Sequence, residues 1–291
     1  MKLRVALAQL EPVPGSPRRN LEKIMSVVEG YDADLYVFPE LFLNGYTSQD
    51  LLYRTAMSLE SEEIERVRGL ARACGVGIVV GFAERSSMGF LYNSLLAVDE
   101  RGGLYVYRKR HLPTFSVFDE HRWFRPWRGS MDPWAFRGTL IGFGICYDVF
   151  FPEIFRSHSL RGAKILVAIS ASPDTSVPLF HVLARARALE NTSFFVWVNN
   201  TGVLDGLTFG GGSLVVDPLG NVVAELRRGV EDVRVVELDL RDVERARIAR
   251  PVIRDSMIED SIELLRSYRA FEGLESGSLV MMRYPGTQAD R

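Results

Sequence analysis

The sequence has only two cysteines, Cys74 and Cys146, and no apolar run reaches the roughly 20 residues that a membrane-spanning helix needs. Two cysteines in 291 residues cannot build a disulfide framework, so we expect free thiols in a reducing compartment. The first residues alternate polar and apolar side chains, which predicts a strand rather than a secretion signal. These absences together predict a cytoplasmic protein without a membrane span.

Strong net charge and metal-ligand patterns are also lacking. The formal net charge of -2 at pH 7 gives the chain no global electrostatic reason to bind nucleic acid or an anionic membrane. Its four histidines lack the spacing of metal ligands, and the glycines at 210–212 are not followed by the Gly-Lys-Ser/Thr of a phosphate loop. We therefore expect a small-molecule substrate and neither a metal nor another cofactor.

Apolar residues are abundant, and segments of strand and helix character alternate along the chain. With 47% hydrophobic and 25% charged residues, the composition favours one large domain spanning residues 1–291. Strands separated by helices, mixed with hairpins, predict an α/β layered fold. We interpret residues 241–291 as a C-terminal helical extension and tail. The apolar strip at 279–282 fits a partner subunit and the chain's own core equally well.

Three predicted strands each end in a residue suited to nucleophilic chemistry. Glu40 follows a short apolar strand and would be desolvated there, which suits proton transfer. Lys109 is one of only four lysines in a chain that otherwise uses arginine, so a compact ammonium has a reason to be kept there. Cys146 ends a strand at a point where backbone N–H groups stabilise an oxyanion and a helix N-terminus lowers the pKa of a thiol. Amide hydrolysis through a thioester requires such a base, cation and thiol.

Each of these residues also has an ordinary structural interpretation. Glu40 alone fits a helix cap, Lys109 a basic surface turn, and Cys146 a buried structural thiol. Cys74 lies near the end of an amphipathic helix, so we expect it to fill the core. The combination of Glu40, Lys109 and Cys146, rather than any one of them alone, therefore indicates a catalytic site.

Three segments around this set resemble the signature blocks of the nitrilase superfamily of carbon–nitrogen hydrolases. They are residues 38–41 (Phe-Pro-Glu-Leu), 107–113 (Tyr-Arg-Lys-Arg-His-Leu-Pro) and 144–148 (Gly-Ile-Cys-Tyr-Asp), in the family's order. The similarity extends over residues 3–240, most of the chain. The resemblance implies a four-layer αββα sandwich.

The resemblance also implies the roles of four residues. Glu40, Lys109 and Cys146 match the family's catalytic triad of base, cation and nucleophile. Glu120 matches an additional catalytic glutamate that lies between the lysine and cysteine blocks of the family, although alone it would read as a solvated loop carboxylate. The family needs no cofactor and commonly forms homodimers or larger homo-oligomers, which we expect here.

Other stretches resemble the glutaminase domain of glutamine-dependent NAD synthetases. They surround Tyr46, Phe118 and Ser172, which the resemblance implies as substrate-binding residues. The Ser-Gly-Gly-x-Asp-Ser loop of the synthetase half does not occur in the sequence. A synthetase that accepts ammonia would therefore have to be a separate partner.

Two residues depart from that glutaminase branch. Tyr147 follows the cysteine where a glutamate is usual, and Phe115 stands where a substrate-contacting tyrosine is common; we expect both to bind substrate. Cys-Tyr-Asp at 146–148 instead resembles free-standing aliphatic amidases and N-carbamoyl amide hydrolases. We expect hydrolysis of a non-peptide C–N bond in a small linear amide or N-carbamoyl compound. An ammonia-supplying glutaminase subunit is the first alternative, and a non-catalytic regulatory subunit is the second.

Overall fold

The computed structural model describes residues 1–46, 50–204 and 206–272. Its internal contacts divide the chain into two units, Met1–Ile253 and Arg254–Arg291. The first unit contains two six-stranded sheets and most of the helices. The described part of the second is a short segment at 254–257, a single helix and one further residue. The apolar strip at 279–282 lies outside the described residues, so what it packs against stays a prediction. The single domain over residues 1–291 likewise stays a prediction.

The strands and helices are numbered along the chain. The strands are β1 (Lys2–Gln9), β2 (Leu35–Val37), β3 (Gly77–Arg85), β4 (Leu91–Val98), β5 (Leu104–Arg108), β6 (Trp134–Phe136), β7 (Thr139–Ile145), β8 (Ile165–Ser170), β9 (Phe194–Asn199), β10 (Thr201–Leu204), β11 (Leu207–Gly210), β12 (Leu214–Val216), β13 (Val222–Glu225) and β14 (Asp232–Asp239). The helices are α1 (Pro17–Gly30), α2 (Asp50–Thr55), α3 (Glu62–Cys74), α4 (Pro152–Leu160), α5 (Val177–Asn191), α6 (Arg241–Ala249) and α7 (Ile258–Phe271).

The two large sheets have the same plan. The first has the order β14-β1-β2-β3-β4-β5 and the second β13-β12-β9-β8-β7-β6. In each, three neighbouring strands are parallel, namely β1, β2 and β3 in one sheet and β7, β8 and β9 in the other. Antiparallel strands complete both sides. Parallel strands that end together bring the residues that follow them to one edge of a sheet.

Alternating side chains of the strands build two apolar layers. In β1, Val5 belongs to the core that the two sheets share, and Ala6 belongs to a core formed with α1 and α3. On the second sheet, α4 and α5 pack with Phe155 and Ala184. The order of layers is helices, sheet, sheet, helices, so the predicted αββα sandwich is confirmed.

The amphipathic helix predicted to end near Cys74 is α3, and it ends at Gly75 in the left-handed conformation typical of a terminating glycine. The predicted C-terminal helical stretch is two helices, because Pro251 cannot continue α6. The small β10–β11 hairpin was not predicted. Within the described ranges, no helix combines the length and apolar character needed to span a membrane.

Candidate active site

Residues that follow strands of both sheets form one buried cluster. Glu40 follows β2, Lys109 follows β5, Cys146 follows β7, and Ser172 follows β8. Hydrogen bonds or close contacts link each of them to another member of the cluster. The structure thus brings together the predicted base, cation and thiol, which lie far apart in the sequence.

Glu40 is fixed by a close approach between the chain after β2 and the middle of β3. The N–H of Gly81 donates to the carbonyl oxygen of Pro39 at 3.1 Å, and a Cβ at Gly81 would lie only 2.3 Å from the backbone nitrogen of Leu41. Glycine is therefore required at position 81. On the other side, Asn200 donates its Nδ2 to the carbonyl oxygen of Glu40 at 3.0 Å.

The carboxylate of Glu40 is fully buried and accepts three short hydrogen bonds. Lys109 Nζ and Asn93 Nδ2 each donate to Oε1 at 2.7 Å, and the backbone N–H of Ala171 donates to Oε2 at 2.7 Å. These three donors hold both oxygens of the carboxylate in place, as a group that transfers a proton requires.

Lys109 bridges two carboxylates. Its Nζ donates to Glu120 Oε1 at 2.8 Å as well as to Glu40. Burial lowers the pKa of Lys109, but the charges of Glu120 and Glu40 outweigh burial, and the net effect is to raise it. The ammonium therefore remains charged and available to stabilise negative charge.

Glu120 is buried beside Lys109, so it is not a solvated loop carboxylate. Burial raises the pKa of Glu120, Lys109 lowers it and Glu40 raises it, and the result is about 7. Tyr46 donates its hydroxyl to Glu120 Oε1 at 3.0 Å. One cation thus serves two carboxylates, and one of them holds or releases a proton near neutral pH.

Cys146 has an unusual backbone conformation. Its φ of 47° is in the left-handed region, and it opens the 3₁₀ turn Cys146–Phe150. Such a conformation in a residue other than glycine costs about 1–3 kcal/mol and is found mainly at functional sites. The Sγ atom lies 3.6 Å from Ser172 Oγ.

The pKa of the Cys146 thiol is raised to about 12, so the expected lowering by a helix N-terminus is wrong. Burial is the largest cause, the charge of Glu40 raises it further, and Lys109 lowers it. The thiol is therefore protonated near neutral pH. It needs a base to become a nucleophile, and Glu40 is the buried carboxylate suited to that task.

Asp148 stabilises the turn at Cys146. In the sequence analysis it stood out only as part of the block at 144–148. Asp148 accepts hydrogen bonds from the N–H of Ile145 at 3.1 Å, from the hydroxyl of Tyr107 at 2.9 Å and from the N–H of His111 at 3.0 Å. These bonds join the turn at Cys146 to the segment 107–113 that contains Lys109.

Ser172 is held in place by Asn199. The N–H of Ser172 donates to Asn199 Oδ1 at 2.7 Å, and Asn199 Nδ2 donates to the carbonyl oxygen of Ser172 at 3.1 Å. The reciprocal pair orients the Ser172 hydroxyl, which lies against the Cys146 thiol.

The other four predicted substrate-binding residues form a chain of aromatic contacts, which we call the aromatic arc (Tyr46, Phe118, Phe115 and Tyr147). Ring centroids lie 6.2 Å apart for Tyr46 and Phe118, 6.0 Å for Phe118 and Phe115, and 5.2 Å for Phe115 and Tyr147. The arc starts at the hydroxyl bonded to Glu120 and ends beside Cys146. Phe115 is 51% exposed, so the arc extends from the buried cluster to the surface.

Sequence reasoning missed Gly81, Asn93 and Asn199. Each lies within or at the end of an apolar strand, and Asn93 and Asn199 are buried polar residues there. An amide inside such a strand was the one available signal, because a buried amide must find hydrogen-bond partners.

Cys74 differs from its prediction. The expected core position is wrong, since Cys74 is exposed as the last residue of α3. The buried stripe of α3 ends with Leu70 and Ala71, one turn earlier. Within 1–46, 50–204 and 206–272, no group of three or more His, Cys, Asp or Glu side chains could hold a metal ion.

The fold and the cluster together define the nitrilase type of αββα sandwich. The sequence model of the carbon–nitrogen hydrolase family matches residues 4–248, and the chain belongs to that family.

Three similar proteins show the range of this family. An (R)-stereoselective amidase from Pseudomonas sp. is 35% identical over 258 residues, covering 87% of this chain and 91% of the amidase. A glutamine-dependent NAD(+) synthetase from Aquifex aeolicus is 34% identical over 260 residues, which are 84% of this chain but only 44% of the synthetase. An amidase from Nesterenkonia sp. AN1 is 28% identical with a TM-score of 0.75, over 91% of this chain and 96% of that one. A variant of it shows covalent addition of the acetamide moiety of fluoroacetamide at the active-site cysteine.

Proposed function

We propose that the protein hydrolyses a small linear amide or N-carbamoyl compound through a thioester on Cys146. One observation carries the proposal. The ammonium of Lys109, shared by Glu40 and Glu120 at 2.7 and 2.8 Å, belongs to the same buried cluster as a thiol in strained backbone. The amidases among the similar proteins support an amide as the substrate.

In the first half of the proposed reaction, the thiol proton moves from Cys146 Sγ to the carboxylate of Glu40 as sulfur attacks the carbonyl carbon. Lys109 and a backbone N–H stabilise the negative charge that develops on the carbonyl oxygen. The C–N bond then breaks, and the leaving nitrogen takes the proton from Glu40. The products of this half are ammonia or an amine and an acyl group bound to sulfur.

In the second half, water attacks the thioester while Glu40 accepts one of its protons. The carbon–sulfur bond breaks, and Glu40 returns the proton to the thiolate. A free acid is released and the thiol is restored. The high pKa of Cys146 fits this scheme, because proton transfer to a base accompanies the attack.

The surroundings of Tyr147 favour an amidase over a glutaminase. The centroid of its ring lies 5.2 Å from that of Phe115, 5.4 Å from that of Phe150 and 5.2 Å from that of Phe151. These apolar contacts suit an uncharged acyl group better than the α-ammonium and carboxylate of glutamine, whose burial requires charged partners.

A glutaminase that supplies ammonia to a separate synthetase is the second candidate. It is favoured by the 34% identity with the NAD(+) synthetase over 84% of this chain. That similarity spans less than half of the synthetase. The activity of the whole synthetase is therefore outside this proposal.

An ammonia-release screen tests both candidates. The panel contains aliphatic amides, ω-amides of keto and dicarboxylic acids, N-carbamoyl compounds, nitriles and glutamine. We expect turnover of an uncharged amide or N-carbamoyl compound, whereas turnover of glutamine alone would place the second candidate first. Cys146→Ala should lose turnover and remain folded.

The matched control is Cys74→Ala, which removes the other thiol at an exposed position. It should keep the activity of the unchanged protein. An acyl group attached to Cys146 should be visible by mass spectrometry after acid quenching. Full activity in Cys146→Ala would contradict the proposed function.

A further inference from the structure

Asn93 is an amide in a place that otherwise suits an apolar side chain. It lies in β4, two residues before Leu95 and four before Ala97, both of which belong to the core between the sheets. Side chains two and four residues apart in a strand share a face. Asn93 is 1% exposed, so its polar atoms have left water.

The hydrogen bonds of this side chain go to the two carboxylates of the cluster. Asn93 Nδ2 donates to Glu40 Oε1 at 2.7 Å and reaches Glu120 Oε2 at 3.5 Å. If the amide were flipped, Asn93 Oδ1 would face the carboxylate oxygens of Glu40 and Glu120, and the oxygens would repel each other. The orientation with Nδ2 towards the carboxylates is therefore the favourable one. Its Oδ1 has no hydrogen-bond partner among the described residues. An unpaired buried carbonyl oxygen destabilises the fold, so folding alone does not favour asparagine here.

The backbone of Asn93 also holds the cation of the cluster. Its carbonyl oxygen accepts the N–H of Lys109 at 2.8 Å, just beyond the paired strands β4 and β5. One residue thus contacts the base through its side chain and the cation through its backbone.

We infer that Asn93 is a positioning residue that keeps Glu40 ionised, so that the proton shared by the two glutamates resides on Glu120. This inference rests on the proposed function, in which Glu40 is the base. Glu40 accepts three hydrogen bonds of 2.7 Å. Glu120 accepts bonds of 2.8 and 3.0 Å from Lys109 and Tyr46 and only the long contact of 3.5 Å from Asn93.

Four ionisable groups face Glu40 from the elements around it. They are Lys109 after β5, Glu120 in the 3₁₀ turn Glu120–Arg122, Tyr46 after β2, and the Cys146 thiol after β7. Glu120 and Glu40 share the ammonium of Lys109, so an ionisation measured at the site reports on the cluster and not on one residue. Without the Asn93 donor, the pair should give up its proton only at a higher pH.

The test is the pH dependence of Cys146 alkylation by iodoacetamide, followed by mass spectrometry on the intact chain from pH 5 to 10. This reaction needs no knowledge of the substrate, and Cys74 in the same molecule is an exposed internal reference. In Asn93→Ala, the acid limb of Cys146 alkylation should move up by about one pH unit, as expected from losing one hydrogen bond to a charged group. Asn93→Asp, which presents no donor when ionised, should move it further.

Asn200→Ala is the matched control. Asn200 is equally buried, its Oδ1 is also unpaired among the described residues, and it contacts Glu40 through the backbone oxygen instead of the carboxylate. It should lower the rate of Cys146 alkylation at every pH without moving the limb. The kcat/KM profile on the best substrate should follow the same pattern.

The inference is overturned if the acid limb of the Cys146 alkylation profile does not shift in either Asn93 variant. In that case Cys74 alkylation and thermal unfolding must be the same as in the unchanged protein. An equal shift in Asn200→Ala would overturn it as well, because general loosening of Glu40 would then be the cause. Failure of the proposed function looks different, since Cys146→Ala would then retain its amide hydrolysis. If Asn93→Ala does not fold, the near-isosteric Asn93→Asp decides the question.

Discussion

Ion pairs with nearly the same nitrogen–oxygen distances occur in two opposite environments. One set joins Lys109 to Glu40 and Glu120 in the buried cluster, and the other lies on the surface of α3. In α3, Glu65 accepts from Arg68 and Arg72, each at 2.7 Å. In the cluster, Lys109 donates at 2.7 and 2.8 Å. The Glu65 side chain is 52% exposed, whereas that of Lys109 is fully buried.

The two groups differ in the balance of charge as well as in burial. On α3 two cations serve one carboxylate, and a hydrogen bond from Arg72 is the main reason why the pKa of Glu65 lies below its ordinary value. In the cluster one cation serves two carboxylates, and burial is the main reason why the pKa of Glu120 is raised to about 7. Nearly equal distances therefore occur in a surface group in which Glu65 stays ionised and in a buried group in which Glu120 exchanges a proton near neutral pH. Only the second arrangement suits proton transfer.

Removing the buried cation should have the largest effect. Lys109→Met leaves two carboxylates without their counter-charge, so at pH 8.5 we expect the free energy of unfolding to fall by about 3–5 kcal/mol. Turnover should fall by at least about 10²-fold, because in the proposed reaction Lys109 stabilises the charge on the substrate oxygen. At pH 5.5 the carboxylates take up protons, and part of the stability should return. Urea unfolding and kcat/KM at both pH values measure this.

The control for this change is Lys164→Met. Lys164 donates to Glu244 at 2.9 Å, and the side chain of Glu244 is 61% exposed. Its removal should leave stability and turnover close to those of the unchanged protein. Equal stability of Lys109→Met and the unchanged protein at pH 8.5 would show that burial does not set the energy of the cluster.

The sequence predicted the members of the cluster better than their environment. Glu40, Lys109 and Cys146 could be found because each follows a strand within a recognisable block. The pKa of Cys146 could not, since it depends on burial and on Glu40, more than 100 residues earlier in the chain. Asn93 was missed for the same reason, because its partner Glu40 is 53 residues away.

The fold shows a similar division between local and distant information. The helix α3 and the turn at Gly75 follow from local periodicity and a terminating glycine. The return of β14 to pair with β1 links Asp239 to Lys2 and has no local signal. The mistaken prediction for Cys74 has a local cause, since the apolar stripe of a helix does not reveal where its last turn leaves the core.

Neutralising one carboxylate of the cluster should have an intermediate effect. The pKa of Glu120, raised to about 7, means that this side chain loses its proton as the pH rises through neutrality. If the ionised form supports turnover, kcat/KM of the unchanged protein should rise through about pH 7. Glu120→Gln should lack that rise and should fall by about 10²-fold at high pH.

The pH profile of Asp119→Asn provides the matched comparison. It removes a carboxylate one residue away and leaves the hydrogen bond between Glu120 and Lys109 in place. The rise through pH 7 should persist in this variant. Persistence of the rise in Glu120→Gln would instead assign the ionisation to another group of the cluster.

Removing a surface carboxylate should have the smallest effect. Glu65→Ala breaks both ion pairs of α3, yet water and salt already screen them, so the midpoint of thermal unfolding should move by less than about 3 °C. Because the pKa of Glu65 lies below its ordinary value of 4.5, its contribution is present above that value and is lost as the pH falls below it. Scanning calorimetry at pH 7 and pH 3.5, and again in 1 M salt, should show the small difference only at pH 7 and low salt. A loss as large as that of Lys109→Met would mean that ion pairing itself, rather than burial, separates the two regions.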